Sequence, residues 1–337
     1  MFAPEEVIFS PTSQCNLRCE HCRVSRTADR LDADIAVRFL ESCNDGGIDR
    51  LGFSGGEPFL RVDFLAEVIR AAVNRGMLFD RLMTNGVWYR DESDLREAVS
   101  TVEKAGFDGI YGLSVDTWHE QEPEKIVQFV KTIFEIRGRR DCLEILSVRA
   151  GNEGPCLAKL RAIAGAFDAE LEIDRGGDPV SISDDLWENR PESGEDLPEA
   201  LFIDIHRLPY SAAMGPDGED APGSDGAGPW SDGEWFEDDL CAGPGNVFYV
   251  HANGDVAACC GFANENPGLI LGNACREGYD ELMERAAASP QVRACYGSGL
   301  GALRERLEAA GSAFPGKTAD QCFFCDWCAK RGLFEDS

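Results

Sequence analysis

The sequence predicts an α/β protein: a partial (β/α)6 barrel, similar to part of a TIM barrel, followed by a small cysteine-rich domain. Strand-like apolar runs alternate with amphipathic helical stretches through the first half of the chain, and cysteines cluster near its start and its end. The 337 residues, of which 43% are hydrophobic, are enough for one large and one small domain.

Six strand-like runs with helical stretches between them account for the predicted barrel, which we place at residues 1–175. In the second helical stretch, apolar residues from Phe64 to Ala72 recur at the spacing of one helix face. The predicted strands lie at residues 7–10, 50–53, 78–84, 109–115, 143–149 and 169–174.

Beyond the barrel, residues 176–240 are rich in glycine, proline, serine and acidic residues, which predicts a bridge between domains or a lid over the barrel mouth. The apolar run 201–205 within this segment is either a late barrel strand or part of the bridge. Residues 241–337 form the predicted cysteine-rich domain.

The chain is strongly acidic, with 32 Lys and Arg against 61 Asp and Glu and a net charge of −29. No Lys or Arg occurs between Leu208 and Cys275, where eleven carboxylates lie. We therefore expect no nucleic-acid or membrane partner. Such a surface attracts a cationic substrate, although solvated loops or adaptation to high salt give the same composition. Without a signal peptide or an apolar span, the expected location is cytoplasmic, where fourteen cysteines indicate metal or redox chemistry.

Three cysteines follow the first predicted strand: Cys15, Cys19 and Cys22. Three thiolates can hold a 4Fe-4S cluster while leaving its fourth iron without a protein ligand, which makes that iron a substrate site. A structural zinc site is the alternative interpretation.

Three further motifs come after later predicted strands: Gly55-Gly56-Glu57-Pro58, Thr84-Asn85-Gly86 and Ser114-Val115-Asp116. Each is weak alone, because glycine-rich and Asn-Gly segments are common in turns. In α/β barrels, however, the chemistry lies at the carboxyl ends of the strands. Four motifs in order at those ends indicate one functional edge.

Together these motifs resemble the radical S-adenosylmethionine (SAM) superfamily. The resemblance implies that Cys15, Cys19 and Cys22 hold a SAM-binding 4Fe-4S cluster. One-electron cleavage of SAM then gives a 5′-deoxyadenosyl radical that takes a hydrogen from a substrate carbon. It also implies that the Gly55 to Pro58 segment receives the SAM amino group. The further SAM-binding candidates are His21, Gly55, Gly56, Glu57, Pro58, Asn85, Ser114, Asp116 and Arg149, the last with a surface salt bridge as the alternative.

A second set of cysteines flanks a predicted hairpin with its turn at Asn253-Gly254-Asp255. This pattern resembles the auxiliary-cluster domains of radical SAM enzymes, called twitch when they hold one cluster and SPASM when they hold two. The compact C-terminal triplet favours one auxiliary 4Fe-4S cluster, with zinc as the alternative. Its predicted ligands are Cys241, Cys259, Cys322 and Cys325, with Cys328 as a substitute for either of the last two.

The fate of the substrate radical would decide the reaction. An auxiliary cluster that accepts an electron favours an oxidoreductase acting on a small polar substrate, such as an amino sugar or aminocyclitol. A thiol hydrogen donor at Cys260, Cys275 or Cys295 would instead give epimerisation. Peptide cross-linking or maturation, and a non-catalytic Fe-S or zinc scaffold, are further alternatives. Because the predicted first strand begins by Val7, we expect no peptide-recognition domain before it, which favours a small substrate, although such a domain can be a separate protein. An electron donor such as flavodoxin or ferredoxin is the expected partner.

Overall fold

The computed structural model describes residues 1–189, 199–208, 229–237, 240–241 and 245–334. Its strands join in one sheet with the order β11-β10-β9-β1-β2-β3-β4-β5-β8-β7-β6. The strands are β1 (Glu6–Phe9), β2 (Arg50–Phe53), β3 (Leu78–Thr84), β4 (Ile110–Ser114), β5 (Leu143–Val148), β6 (Glu170–Ile173), β7 (Pro179–Ser183), β8 (Phe202–Leu208), β9 (Val247–Val250), β10 (Asp255–Ala257) and β11 (Ile270–Asn273).

The first five strands pair in parallel in chain order and form the wall of an open barrel, which confirms the predicted fold class. The connecting helices are α1 (Ala33–Asp45), α2 (Val62–Asn74), α3 (Glu92–Ala105) and α4 (Pro123–Arg137), and a 3-10 turn (Pro58–Arg61) precedes α2. Side chains alternate along a strand. In β1, Val7 and Phe9 are fully buried on one face, and Glu6 and Ile8 therefore lie on the other.

The sixth parallel strand is β8, which pairs with β5. The prediction that the run 169–174 supplies this strand was wrong. That run forms β6 at the edge of the sheet, and β6 and β7 pair antiparallel. The reason is burial: three of the four β6 residues are exposed, whereas interior parallel strands are covered on both faces. The apolar run 201–205 is thus a barrel strand, and the domain boundary at 175 stays a prediction.

The second half of the chain extends the same sheet. Strand β9 pairs in parallel with β1 and antiparallel with β10, so the predicted hairpin is present, and its turn residue Gly254 has a φ of +89°. Phe39 lies against both Phe9 and Phe248, which makes the core continuous across the two halves. The remaining helices are α5 (Gly154–Ala166), α6 (Asp185–Glu188), α7 (Tyr279–Ala288), α8 (Pro290–Arg293), α9 (Leu300–Ala309) and α10 (Gln321–Lys330), with a π-helical turn at Ala294–Ser298.

Within the segment 176–240 predicted as a bridge or lid, residues 190–198, 209–228 and 238–239 lie outside the described residues. Of the helices in the described ranges, none combines the length and apolar composition that crossing a bilayer demands.

Candidate active site

The carboxyl ends of β1 to β4 open onto one cavity of about 130 Å³, called here the motif cavity. Residues from all four motifs line it, as do Arg26 and His119. The structure therefore brings together most of the predicted site residues. Those that line the cavity are Cys15, Cys19, His21, Cys22, Gly55, Gly56, Pro58, Asn85 and Ser114.

The loop that carries the three cysteines is held by the third motif. The Asn85 side-chain amide donates to Asn16 Oδ1 at 2.8 Å and to Cys15 Sγ at 3.6 Å, and the Leu17 amide also donates to Cys15 Sγ at 3.4 Å. Burial raises the pKa of the Cys15 thiol to about 11. Donors that face a sulfur in this way are suited to stabilise a metal-bound thiolate.

Two glycines of the second motif pack directly on the cysteine loop. Gly55 has a φ of +109°, and a Cβ at this position would overlap Ser10 Oγ; a Cβ at Gly56 would overlap the Gln14 carbonyl. The Gly56 amide donates to the Thr12 carbonyl at 2.9 Å. Only glycine fits here, so the turn can present its backbone to a ligand in the cavity.

Glu57 lies behind the cavity wall and not in the cavity, with 1% of its surface exposed. Its carboxylate accepts hydrogen bonds from the Phe59 amide at 3.1 Å, Thr84 Oγ1 at 3.0 Å and the Asn85 amide at 2.9 Å. Burial raises its pKa to about 7. The structure thus gives this predicted SAM-binding residue another place, where it ties the second motif to the third.

Asp116 also lies behind the wall, where it caps the turn after β4. Its Oδ1 accepts from the Trp118 amide at 2.8 Å and from the amide and Nδ1 of His119 at 2.9 and 2.8 Å. Burial opposes ionisation of Asp116, but the hydrogen bonds from His119 outweigh it and hold the pKa at about 2. Lys159, which the sequence analysis did not single out, is buried and donates to the Asp116 carbonyl at 2.7 Å.

His119 reaches the cysteine motif, and its position three residues after Asp116 is the only sign of this in the sequence. Its ring lies 5.2 Å from the ring of His21, and its side chain is within hydrogen-bond reach of Cys19. Within the described ranges, His21 Nδ1 and Asp116 Oδ2 are buried polar atoms without a partner. Asp116 lies behind the wall and His21 lines the cavity, so His21 Nδ1 is the unpartnered atom that a ligand in the cavity can meet.

Arg149 is not part of the cavity lining. Its guanidinium pairs with Asp178 at 2.7 Å in a partly exposed ion pair, which was the alternative considered for this residue.

A second cavity, the thiol cavity, lies in the C-terminal part of the chain. It is lined by five cysteines: Cys241, Cys259, Cys295, Cys322 and Cys325. Backbone and side-chain amides face the sulfurs, since the Gly261 amide donates to Cys259 Sγ at 3.1 Å and Gln291 Nε2 donates to Cys325 Sγ at 3.5 Å. Four thiols that line one cavity suit an iron–sulfur cluster. Among the described residues, no three of these sulfurs lie within 4.8 Å of one another, as the ligands of a single tetrahedral zinc ion would.

Helix α10 decides which of its cysteines face the thiol cavity. Successive helical residues turn by about 100°, so Cys322 and Cys325 share a face and Cys328 points about 120° away from Cys322. Cys328 is buried and does not line the cavity. The predicted substitute ligand therefore lies elsewhere, and Cys295 stands in the cavity instead.

Cys295 and Cys325 form a hydrogen bond with each other, with 3.7 Å between the sulfurs. Either thiol can donate this bond, which lowers the pKa of Cys325 and raises that of Cys295. Of the other cysteines considered as donors of a hydrogen atom to a substrate radical, Cys275 is exposed. Neither Cys275 nor Cys260 lines the motif cavity or the thiol cavity.

Comparison with known proteins places this geometry in context. Residues 9–145 match the model of the Radical SAM superfamily. GTP 3',8-cyclase of Lactiplantibacillus plantarum is 30% identical over 128 residues, which are 36% of each chain, so the chain spans about a third of that relative's length.

Two solved structures resemble nearly the whole fold. Native anSMEcpe with bound AdoMet has a TM-score of 0.55 and 14% identity, over 98% of this chain and 96% of that one. The same protein with AdoMet and the Cp18Cys peptide has a TM-score of 0.50 and 15% identity over the same shares. At this level of identity the likeness shows the fold alone.

Proposed function

Because residues 9–145 form a radical SAM domain, we propose that this protein cleaves SAM reductively and removes a hydrogen atom from a carbon of its substrate. The observation that carries the proposal is the motif cavity, where three thiols face a glycine turn and His21, whose buried Nδ1 has no partner among the described residues. Radical SAM proteins use a 4Fe-4S cluster with SAM, and the reduced cluster, when bound, supplies the electron that breaks the SAM sulfonium bond.

The residues of this chain would bind and orient. Cys15, Cys19 and Cys22 would hold the cluster, and the backbone of Gly55 and Gly56 would take the SAM amino group. Ser114 and His21, which line the cavity, would bind the polar groups of SAM. Asn85 fixes the cysteine loop through its bonds to Cys15 and Asn16. None of these groups performs the bond cleavage; they exclude water and hold the reacting atoms in place.

In the thiol cavity we assign Cys241, Cys259, Cys322 and Cys325 as ligands of one auxiliary 4Fe-4S cluster. Such a cluster can accept an electron from a substrate radical, so the reaction we favour is oxidation of a small polar substrate resembling an amino sugar or aminocyclitol. A reduced flavodoxin or ferredoxin would supply the electron for SAM cleavage. Peptide modification and epimerisation are the competing outcomes.

The experiment is SAM cleavage by the anaerobically reconstituted and reduced protein, measured as 5′-deoxyadenosine. The variant with Cys15, Cys19 and Cys22 all replaced by alanine should form none while keeping about four of about eight irons. Cleavage by this variant would contradict the assignment of the motif cavity. About four irons and one zinc in the unaltered protein would replace the auxiliary cluster with a structural zinc site.

A further inference from the structure

Two side chains make hydrogen bonds with the sulfur of Cys325, one of the four cysteines assigned to the auxiliary cluster. Gln291 Nε2 donates to Cys325 Sγ at 3.5 Å, and the sulfur of Cys295 lies 3.7 Å from the same atom. A thiol gives up its proton when it binds a metal. With a cluster bound, Cys325 therefore only accepts, and Cys295 is the donor of the bond between the two sulfurs.

Both donors come from one short segment of the chain. Gln291 lies in α8, and Cys295 lies four positions later in the π-helical turn Ala294–Ser298, a spacing that puts two helical residues on the same side. Turns of this kind are rare and occur frequently at functional sites. The Cys295 carbonyl accepts from the Cys241 amide at 2.9 Å, which ties the segment to another assigned ligand.

Gln291 lies behind the thiol cavity and does not line it, with 3% of its surface exposed. Its side chain packs on Gly268, where a Cβ would stand 2.2 Å from Gln291 Oε1. The hydroxyl of Ser289, just before α8, donates to the Gly268 carbonyl at 2.8 Å. Burying an amide costs free energy unless the amide is hydrogen-bonded, so this packing favours the bond to Cys325.

Hydrogen bonds to the sulfurs help to set the reduction potential of an iron–sulfur cluster. Reduction adds one negative charge to the cluster and its ligands, and a donor bonds more strongly to a more negative acceptor. Two donors on one ligand therefore favour the reduced cluster. In the proposed oxidation, the substrate radical gives one electron to the oxidised cluster and one proton to water, so a higher potential favours this step.

We propose that Gln291 and Cys295 raise the reduction potential of the auxiliary cluster through their hydrogen bonds to Cys325, and so suit the cluster to accept an electron from a substrate radical. Both are positioning residues, because they act through Cys325 and not on the substrate. This inference rests on the proposed function and deepens it, since it names the residues that set the potential of the auxiliary site.

The test is a potentiometric titration of the anaerobically reconstituted protein without SAM, followed by electron paramagnetic resonance of the reduced clusters. The step that is absent from Cys322→Ala belongs to the auxiliary cluster. Gln291→Met keeps the size of the side chain and removes the donor. At a fixed potential, the ratio of reduced to oxidised auxiliary cluster should fall about tenfold in this variant, which for one electron is a shift of about 59 mV.

The second donor is tested by a pair of variants. Cys295→Ala should also lower the potential of the auxiliary cluster, whereas Cys295→Ser, whose hydroxyl can donate, should recover part of the loss. A purely structural role for Cys295 would not move the potential. Should Gln291→Met lose iron, this pair decides the question.

Gln321→Met is the matched control, because Gln321 lines the thiol cavity and none of the hydrogen bonds among the described residues joins its side chain to a sulfur. It should lower the potential less than Gln291→Met does. Equal falls in these two variants would show that the polarity of the site, and not the bond to Cys325, sets the potential. That result would overturn the proposal, as would unchanged potentials in both Gln291→Met and Cys295→Ala.

Metal content separates this inference from the proposed function. About eight irons in the unaltered protein, with potentials that the variants do not move, would overturn this inference alone. About four irons and one zinc would overturn both this inference and the auxiliary cluster.

Discussion

Glu57 ties the second motif of the site to the third, a role that its own motif does not indicate. The sequence showed an acidic residue in a turn and the resemblance implied a contact with SAM, whereas the structure places the carboxylate at the junction of two motifs. The burial of Glu57 is a tertiary property, because it depends on β3 lying beside β2, which no local pattern specifies. The same holds for Lys159, whose buried contact to the Asp116 turn has no signal in its helical sequence context.

Replacing Glu57 with alanine should destabilise the protein by about 3 kcal/mol, because buried donors at Thr84 and Asn85 lose their acceptor and each such loss costs about 1–3 kcal/mol. Urea unfolding measures this change. Glu57→Gln keeps an acceptor oxygen and should lose less. Glu67→Ala on the exposed face of α2 is the control, and an equal effect of the two alanine variants would show that the Glu57 contacts contribute nothing.

Glu6 on β1 gives a prediction in pH. Burial, and secondly the nearby Asp80, raise its pKa to about 8 from an ordinary value of 4.5. The folded state therefore holds a proton that the unfolded state releases, so this stabilisation is complete below pH 4.5 and is lost as the pH rises through about 8.

Glu6→Gln removes that dependence. Between about pH 6 and pH 9, the free energy of unfolding of the unaltered protein should fall by about 2 kcal/mol relative to the variant, since one pKa unit corresponds to about 1.4 kcal/mol. Glu5→Gln at the neighbouring exposed position should follow the unaltered protein. Parallel stability curves for the unaltered protein and Glu6→Gln would contradict a raised pKa.

At the scale of elements, the sequence predicted what local pattern encodes. The first five strands and the β9–β10 hairpin are where apolar runs and turn residues placed them. The prediction of the sixth barrel strand was wrong because an amphipathic edge strand and a buried parallel strand of similar length differ mainly in the strands they pair with. For the C-terminal cysteine triplet, the spacing is visible in the sequence. The helical phase that turns Cys328 away from the thiol cavity appears only once α10 forms.

Helix α10 gives an element-scale test through iron content. Cys328→Ala should keep about eight irons after reconstitution, whereas Cys322→Ala and Cys325→Ala should each fall toward about four, because one cluster contains four. Cys295→Ala should also keep about eight irons, since Cys295 is not one of the four assigned cluster ligands. Loss of iron from Cys328→Ala, or from Cys295→Ala, would revise the ligand set.

At the scale of the whole molecule, the motif cavity lies in the barrel and the thiol cavity in the C-terminal part, and the pairing of β1 with β9 joins the two parts in one sheet. An auxiliary cluster in the thiol cavity would accept the second electron from a substrate radical without a thiol hydrogen donor.

Once a substrate is known, the reaction in deuterium oxide tests this arrangement. Oxidation consumes SAM stoichiometrically, leaves the product two mass units lighter than the substrate in ordinary water, and puts no solvent deuterium on the reacting carbon. Epimerisation leaves the mass unchanged in ordinary water and adds one deuterium from an exchangeable thiol. Mass spectrometry decides between them, and deuterium that disappears on replacing Cys260, Cys275 or Cys295 would contradict the oxidative reaction.

The parallel pairing of β1 with β9 has a consequence for synthesis on the ribosome. Glu6 to Phe9 are made about 240 positions before their partners Val247 to Val250. At about 5–20 residues per second, one edge of β1 waits for at least ten seconds without its backbone partner. An uncovered strand edge is a template for pairing with other chains. Nascent chains stalled before residue 247 should therefore be the species most prone to aggregate, and a chaperone that covers this edge should raise the yield.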